Sequence, residues 1–358
     1  MYIKSLTLNN FKNFSDKEFN FSQINCIVGN NGVGKTNILD AIYYLSFCKS
    51  FLNPSDSETI RYGEDFFSIK GTYQLTDTNE DTFVISLKKG ERKIVKHGKQ
   101  AYKKFSEHIG KIPCVVVSPN DNIYITGRSE YRRKFMDIIL SQCDSVYMDN
   151  LINYNKCLEQ RNKLLKLFQQ TNTFDAIQLD IWNEKLSACG EIIKQKRNEF
   201  FNEFLPPFQR YYNYVSGNNE DVSAMYHTFE GTLLDILRGN TDKERLIGYT
   251  TKGVHRDDIV FTLNDHNAAT CASQGQQKTF VLALKLAQFD YLKTHKQTVP
   301  ILLLDDIFDK FDFQRVQKIL QLVADEKFNQ VFLTDTHPDR TQMIIPDNKK
   351  DDSTIIRL

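Results

Sequence analysis

The chain has 358 residues, of which 41% are hydrophobic and 25% are charged, so it can bury a large core and is expected to form two globular parts. Its net charge of only +1 excludes a broadly basic protein, and any nucleic-acid surface must therefore be local. No basic and then apolar leader opens the sequence, and no apolar run approaches the roughly 20 residues that cross a bilayer, so a cytoplasmic protein without a membrane partner is expected.

The first elements along the chain are predicted to be strands and one helix. Apolar residues in Tyr2 to Leu8 and in Phe19 to Phe21 predict an opening hairpin. The apolar run from Ile24 to Val28 predicts a buried strand, and Asn37 to Phe47 has the pattern of a helix. A loop between a strand and a helix is the setting that a phosphate-binding motif requires.

That loop fits G-x-x-x-x-G-K-[ST], so an ordinary glycine-rich turn is the disfavoured alternative. Its glycines let backbone N–H groups turn toward phosphate oxygens, and the helix N-terminus adds partial positive charge. The lysine can reach the β- and γ-phosphates, and the threonine hydroxyl can join a Mg²⁺ shell. The candidate ATP-binding residues are Gly29, Asn30, Asn31, Gly32, Val33, Gly34, Lys35 and Thr36.

An antiparallel sheet with a basic end is predicted next. Strands are expected from Phe66 to Leu75 and from Thr82 to Leu87, and a further pair is expected to meet at His97-Gly98. Residues 88–104 contain eight Lys or Arg against one acid, a local balance of +7. Two interpretations stay open: lysines that protect a sheet edge, or a patch for the phosphate backbone of DNA. The second gives the candidate DNA contacts Lys88, Arg92, Lys93 and Lys96.

The chain then changes from strand to helical character. A buried strand is predicted from Pro113 to Ser118, and helices from about Glu130 to Phe204 carry two apolar stripes that break at Thr171-Asn172-Thr173. Pro206-Pro207 is expected to end the second helix. The pattern favours an antiparallel helical arm packed on itself over a cofactor-binding bundle.

After the arm, a short helix is predicted at Leu233 to Leu237, and strand-like alternation from Thr250 to Leu263 indicates that the sheet resumes. Ser273-Gln274-Gly275-Gln276 stands before a helical pattern, where amides and a hydroxyl can hold phosphate, although Ser-x-Gly is also an ordinary N-cap. An apolar strand then ends in Asp305 and Asp306. Because side chains alternate along a strand, one aspartate can hold Mg²⁺ while the other orients the attacking water.

These motifs together resemble the head domains of ABC-type ATPases related to SMC proteins, and further segments narrow the resemblance to the RecF family of bacterial recombination and repair proteins. The resemblance runs from the first strand to at least Thr336. The segments that carry it are Asn10-Phe11-Lys12-Asn13-Phe14, Ser118-Pro119-Asn120-Asp121, Tyr131-Arg132-Arg133-Lys134-Phe135-Met136-Asp137, Gly253-Val254-His255-Arg256-Asp257-Asp258 and Ser273-Gln274-Gly275-Gln276-Gln277.

The resemblance implies an α/β fold, an ABC-type P-loop ATPase head with a mixed sheet, an antiparallel β subdomain and an inserted helical arm. The expected domains are the first part of the head at 1–128, the arm or lid at 129–248, and the second part of the head at 249–358. The implied function is ATP-dependent DNA binding in recombinational repair, replication restart and the SOS response. Such a protein dimerises on ATP, binds duplex DNA at single-strand gaps, helps RecO and RecR to load RecA, and is a weak DNA-dependent ATPase.

The resemblance also implies residue roles. Asp305 with Thr36 would serve Mg²⁺, and Asp306 with Lys35 would be catalytic. The signature from Ser273 to Gln276 would meet the γ-phosphate of the opposite subunit, and Asp312 would lie on a loop that crosses the dimer. The remaining nucleotide contacts would come from the phosphate loop and from Lys12, Ser273, Gln274, Gly275, Gln276 and Asp312.

Several positions depart from the family pattern. Lys12 stands where Arg is common and lacks the planar fork for a bidentate phosphate contact. Asp309-Lys310-Phe311-Asp312 replaces an S-E-L-D-like loop, and Val254 stands where Pro is common. The switch residue after the last strand stays open between Thr334 and Thr336, with His337 as a possible turn residue.

Other classes share some of these motifs. A transporter ATPase subunit has the same nucleotide motifs but needs a membrane partner. An SMC or RecN-like protein needs long heptad stretches, for which this chain has no room. A scaffold that binds ATP without hydrolysis also stays open, because no sequence feature fixes a turnover rate.

Overall fold

The computed structural model describes residues 1–53, 55–76, 79–217, 220–306, 315, 317–318, 321–322, 328–337 and 352–358. The chain divides into a head unit, Met1–Asp121 with Lys278–Leu358, and a helical unit, Asn122–Gln277. In chain order the described elements are β1 (Tyr2–Phe11), β2 (Phe14–Asn20), β3 (Ile24–Val28), α1 (Lys35–Phe47), β4 (Phe66–Thr76), β5 (Asn79–Lys88), β6 (Ile94–His97), β7 (Gln100–Ala101), β8 (Cys114–Val117), α2 (Ile123–Thr126), α3 (Ser129–Cys143), α4 (Ser145–Thr171), α5 (Ala176–Ser216), β9 (Val222–His227), α6 (Leu233–Gly239), α7 (Thr241–Ile247), β10 (Asp258–Leu263), β11 (His266–Asn267), α8 (Ala268–Cys271), α9 (Gln274–Lys296), β12 (Ile301–Leu304), β13 (Gln330–Asp335) and β14 (Ser353–Arg357).

A five-stranded parallel sheet in the head unit has the order β14-β3-β13-β12-β8. Every residue of β3, β8, β12 and β13 is buried. Burial along the whole length of a strand is typical of parallel sheets that are covered on both faces. The strands predicted from the apolar runs before the phosphate loop and before the two aspartates are therefore confirmed.

The second sheet of the head unit has six strands in the order β2-β1-β4-β5-β6-β7, and each neighbouring pair is antiparallel. The predicted opening hairpin is confirmed as β1 and β2. The side-chain amide of Gln330 in β13 joins the two sheets: it accepts from the Ile3 N–H at 2.8 Å and donates to the Ile3 carbonyl at 2.8 Å. This pair of bonds satisfies a buried backbone donor and acceptor of β1.

Three consecutive helices, α3, α4 and α5, dominate the helical unit, as the apolar stripes predicted. Side chains cap the N-termini of α4 and α5: Asp144 accepts from the Tyr147 N–H and Asp175 from the Gln178 N–H, each at 2.9 Å. The break between them is confirmed, because α4 ends at Thr171 and Asn172 takes the left-handed conformation that commonly closes a helix. Among the helices that the structure describes, none is both long enough and apolar enough to cross a bilayer.

The prediction that Pro206-Pro207 ends the second helix is wrong. Helix α5 continues through both prolines to Ser216 and stops at Gly217, which has φ +91°. A proline inside a helix removes a hydrogen bond and clashes with the preceding turn, so its cost must be offset by packing. Phe204 and Phe208 on either side of the prolines are buried and stack on each other with ring centroids 6.4 Å apart.

The prediction that the strand-like stretch from Thr250 to Leu263 resumes the sheet of the head is also wrong. Strand β10 starts at Asp258 rather than near Thr250, and it pairs with β9 and β11 in a separate three-stranded antiparallel sheet. This sheet belongs to the helical unit, which runs to Gln277 instead of ending near the expected boundary at 248. Alternation shows that one face of a strand is buried, but it does not identify the sheet that the strand joins.

Candidate nucleotide-binding site

The phosphate loop joins the end of β3 to the start of α1, as the motif requires. Gly34 has φ +114°, a conformation that L side chains rarely adopt, and a Cβ there would lie 2.4 Å from Nδ2 of Asn13. Asn13 comes from the turn between β1 and β2. It donates to the Val33 carbonyl at 2.7 Å and accepts from the Asn37 side chain at 2.8 Å. Asn13 therefore fixes the loop on one side, a role that the sequence analysis did not assign.

Lys35 is the first residue of α1 and is 95% buried, with 5% of its surface exposed. Its ammonium group donates to the carbonyls of Gly29 at 2.8 Å and Asn30 at 3.0 Å. Burial of an ammonium group is costly unless hydrogen bonds satisfy it, and here the loop's own carbonyls do so. The side chain of Lys35 is thereby folded back over the loop that is predicted to bind phosphate.

Thr36, Asp305 and Thr334 form a cluster at the start of α1 and at the ends of β12 and β13, in which Asp305 and Thr334 are buried and Thr36 is partly buried. Oδ1 of Asp305 accepts from the Thr36 hydroxyl at 2.9 Å and from the Thr334 hydroxyl at 2.9 Å. Burial raises the pKa of Asp305, and the two hydroxyl hydrogen bonds act in the opposite direction by stabilising the carboxylate. The carboxylate of Asp305 is thus held in one orientation beside the phosphate loop.

The oxygens of Thr36 and Asp305 fit Mg²⁺ in chemistry and in spacing. Mg²⁺ prefers hard oxygen ligands at roughly 2.0–2.1 Å in an octahedron, so adjacent ligands lie about 2.9 Å apart. The observed separation of Oγ1 and Oδ1 is 2.9 Å. Among the described residues, no cluster of three or more His, Cys, Asp or Glu side chains could hold a metal by itself, so this pair would share its cation with the ligand's phosphates.

Asp306 follows Asp305 but has a different environment. Asp305 is buried, whereas Asp306 is partly exposed and has φ +48°. Its backbone N–H donates to the Thr334 hydroxyl at 2.8 Å. The two aspartates therefore present their carboxylates in different environments, which agrees with the separate roles inferred from strand alternation.

Lys12 does not direct a free charge toward the phosphate loop. Its ammonium group lies 2.6 Å from Oδ2 of Asp40, which is fully buried in α1. Asp40 also accepts from the Ser50 hydroxyl at 2.7 Å and the Phe51 N–H at 2.8 Å. A cavity of about 640 Å³ adjoins this region and includes Lys12, Asn13, Arg61 and Tyr62 in its lining.

The signature forms a reciprocal cap at the start of α9. The Ser273 N–H donates to Oε1 of Gln276 at 2.7 Å, and the Gln276 N–H donates to Oγ of Ser273 at 3.3 Å. Nε2 of Gln276 donates to Glu220 at 2.5 Å, and the Tyr212 hydroxyl donates to the other oxygen of Glu220 at 2.5 Å. Ser273 and Gln274 are exposed. Glu220 and Tyr212 support the signature and were not identified from the sequence.

The R-R-x-F-M-D and G-V-H-R-D-D segments meet within the helical unit. Arg132 binds both oxygens of Asp258, at 2.7 and 2.9 Å. The buried Arg197 of α5 lies 2.8 Å from Asp257 and 2.9 Å from Asp137, so it joins the two segments. A buried charge needs such partners, and these motif residues therefore stabilise the unit. Sequence reasoning missed Arg197, although it lies on the apolar stripe between Ile193 and Phe200.

The basic segment contains residues of two kinds. Lys88, Arg92 and Lys96 are exposed on β5, β6 and the intervening turn. Lys93 is largely buried: it lies 2.5 Å from Asp56 and 3.1 Å from the Tyr44 hydroxyl, and it also donates to the Cys48 carbonyl. A DNA contact by Lys93 would break this cluster, so the structure argues against Lys93 as a member of a DNA surface.

The sequence analysis also assigned roles to Asp312 and to a switch residue after the last strand. Asp312 lies outside the described residues. Of the three switch candidates, Thr334 is fully buried and binds the two aspartates, Thr336 follows the end of β13, and the His337 N–H donates to Asp335 at 3.1 Å.

A phosphate loop, a paired carboxylate strand and a signature before a helix define the class as a P-loop ATPase head of the ABC and SMC type. A Pyrococcus furiosus SMC head domain shares this fold, with a TM-score of 0.54 and 17% identity over 96% of this chain and 91% of that chain. The family model for the RecF/RecN/SMC N terminal domain matches residues 2–347.

Closer relatives specify the family. The DNA replication and repair protein RecF of Flavobacterium johnsoniae is 48% identical over 96% of this chain and 97% of that protein. A solved structure of the recombination mediator protein RecF-ATPrS in the RecFOR pathway has a TM-score of 0.88 and 28% identity, and the match covers 100% of this chain and 96% of that chain. The chain belongs to the RecF family of ATP-binding ATPases.

Proposed function

We propose that the chain is an ATP-dependent DNA-binding protein of recombinational repair and replication restart. In this proposal it dimerises on ATP, binds duplex DNA beside single-strand gaps and hydrolyses ATP slowly. The observation that carries the proposal is the junction of Thr36, Asp305 and Asp306 at the phosphate loop, in a chain whose relatives are RecF proteins. A cytoplasmic location follows from the same role.

The mechanism assigns separate tasks to the residues of this junction. Lys35 neutralises charge on the β- and γ-phosphates, for which its carbonyl partners already hold it at the loop. Thr36 and Asp305 would hold Mg²⁺, which when bound would supply further neutralisation of charge on the phosphate oxygens. Asp306 orients and polarises the attacking water, a role supported by the partial exposure of this residue and by the hydrogen bond that holds its backbone.

The loop residues from Gly29 to Thr36 bind the triphosphate through backbone N–H groups and the N-terminus of α1. The cavity lined by Asn13 and Arg61 gives room for the nucleoside end of ATP. Lys12 contributes as part of the cavity wall rather than as a phosphate-binding charge, because Asp40 already pairs with its ammonium group.

Dimerisation on ATP is inferred from the signature. Ser273 and Gln274 are exposed at the start of α9, and Gly275 and Gln276 follow in its first turn. In the proposed dimer these residues bind the γ-phosphate held by the partner. The nucleotide then belongs to the interface, so ATP stabilises the dimer.

The DNA surface is proposed on the exposed basic residues of the head unit, namely Lys88, Arg92 and Lys96. Lysine and arginine side chains bind duplex DNA through its phosphates and largely without regard to sequence. RecO-type, RecR-type and RecA-type proteins are the proposed partners, since one related structure is described within the RecFOR pathway. The RecF relatives favour this function over that of a transporter ATPase subunit.

Fluorescence anisotropy on gapped and blunt duplexes, with and without ATP, tests this function. Wild-type protein is expected to bind the gapped duplex more tightly with ATP, and Lys35→Ala is expected to lose that gain because it cannot bind the triphosphate. Phosphate release from the same samples separates an ATPase from a scaffold that only binds ATP. Equal DNA affinity with and without ATP in the wild type would contradict the proposal.

A further inference from the structure

Thr334 occupies a position in β13 that links both aspartates of the site. Its side chain is completely buried, and its hydroxyl lies 2.9 Å from Oδ1 of Asp305 and 2.8 Å from the backbone nitrogen of Asp306. The backbone N–H can only donate, so the hydroxyl accepts from Asp306 and uses its own proton to donate to the carboxylate of Asp305. One hydroxyl therefore fixes two neighbouring residues by two different bonds.

The bond to Asp306 restrains an unfavourable backbone conformation. Asp306 has φ +48°, the left-handed region that non-glycine residues seldom occupy. Such conformations persist at functional sites when surrounding contacts hold them. The hydroxyl of Thr334 is such a contact, and it therefore helps to set the direction in which Asp306 leaves the strand.

Thr334 and Thr36 both donate a hydrogen bond to Asp305, but they lie on different elements. Thr36 belongs to the phosphate loop and to the proposed Mg²⁺ site, so its oxygen is expected to turn to the ligand. Thr334 lies on β13, and the residue before it, Leu333, is the register partner of Leu304 on β12 in the parallel sheet. A donor on this rigid neighbouring strand can keep Asp305 oriented while the loop responds to nucleotide.

We propose that Thr334 is a positioning residue that orients the carboxylate of Asp305 and the backbone of Asp306 for Mg²⁺-dependent ATP hydrolysis. This inference rests on the proposed function of the two aspartates. The contacts of Thr334 with both aspartates favour it over the other switch candidates, Thr336 and His337. The competing explanation is that the hydroxyl only satisfies buried polar groups and affects stability alone.

The test compares Thr334→Val, which keeps the shape and removes the hydroxyl, with Thr334→Ser, which keeps the hydroxyl. Partners that orient metal ligands typically change metal affinity or activity by about 10–100-fold when removed. Thr334→Val is therefore expected to lower kcat by at least about tenfold and to raise the Mg²⁺ concentration needed for half-maximal nucleotide binding. Thr334→Ser is expected to restore both values to near wild type. ATP affinity at saturating Mg²⁺ should stay the same, because the phosphate loop is unchanged.

Thermal unfolding of both variants shows whether they are folded at the assay temperature, and a fluorescent nucleotide titrated with Mg²⁺ gives a readout that needs no turnover. The inference is overturned if folded Thr334→Val has the wild-type Mg²⁺ midpoint and kcat, or if Thr334→Ser shows the same loss as Thr334→Val. Absence of turnover in the wild type would refute the proposed hydrolysis. The Mg²⁺ midpoints of nucleotide binding would still decide the role of Thr334.

Discussion

The basic segment offers a prediction that separates charges by their structural setting. Lys88, Arg92 and Lys96 are exposed, whereas Lys93 is held between Asp56 and the Tyr44 hydroxyl. Changing the three exposed residues to Gln is expected to weaken duplex binding about equally for all sequences. Each lost phosphate contact lowers the slope of log affinity against log salt by about 0.9, so three contacts account for up to about 2.7. Between 50 and 200 mM salt, the duplex affinity of the triple variant should therefore fall by a factor roughly 40-fold smaller than that of the wild type.

Single variants supply matched controls for this experiment. Lys96→Gln is expected to reduce the salt slope by about 0.9 and to leave stability within about 0.5 kcal/mol. Lys17→Gln makes the same charge change at an exposed position on β2, away from the basic segment, and should leave the slope unchanged. Lys93→Met should leave the slope unchanged but destabilise the protein by about 1–3 kcal/mol, because buried hydrogen-bonding groups lose their partner.

The assay is duplex anisotropy over a salt series with saturating ATP, together with denaturant unfolding of each variant. A triple variant with the wild-type affinity and salt slope would show that these cations only protect a sheet edge. A reduced slope for Lys93→Met, in a protein that stays folded, would show that the buried cluster opens to bind DNA. Either result would refute the assignment of DNA contacts by exposure.

Three further predictions concern the nucleotide, the dimer and stability. Lys35→Ala should abolish or greatly weaken ATP binding, whereas Asp306→Asn should bind ATP and lose hydrolysis; equal loss of nucleotide affinity would refute the division of roles. Ser273→Arg should retain ATP binding but block ATP-induced dimerisation in light scattering, and a stable wild-type dimer without nucleotide would contradict this. Burial lowers the pKa of His108 to about 4, so its contribution to stability is complete above the unfolded pKa of 6.5 and is lost as pH falls toward 4. His108→Gln should flatten this pH dependence of unfolding by up to about 3 kcal/mol, and an unchanged dependence would contradict it.

The strands and the phosphate loop were predictable because their signals are local. A mostly apolar run in β3, a glycine-rich motif and a helical pattern occur within 24 positions, Ile24–Phe47. Chain topology was less predictable. The alternation in β10 correctly indicated a half-buried strand, but its pairing with β9 depends on partners more than 30 residues earlier, such as Met225 for Val260. Likewise, the propensity of Pro206-Pro207 to end a helix was overridden by buried aromatic residues around them.

The supporting residues of the site could not be predicted for a related reason. Thr334 contacts Asp305 and Asp306 only because β13 lies beside β12 in the sheet. Glu220 reaches Gln276 across 56 positions, and Arg197 reaches Asp257 across 60. No periodicity in the sequence relates such positions. The motif residues themselves were recognisable, but the motif pattern did not indicate which of them serve the ligand and which stabilise the helical unit.

The contacts of Gln276 connect the signature to the long helix of the same unit. Tyr212 lies in the last two turns of α5, and both it and Gln276 bind the carboxylate of Glu220. Gln276 also holds the Ser273 N–H, so the position of Ser273 depends on the end of α5 through a continuous series of hydrogen bonds. A ligand that orders Ser273 would therefore also restrict α5. If the signature binds nucleotide as proposed, these hydrogen bonds would give that binding a physical route to the helical unit.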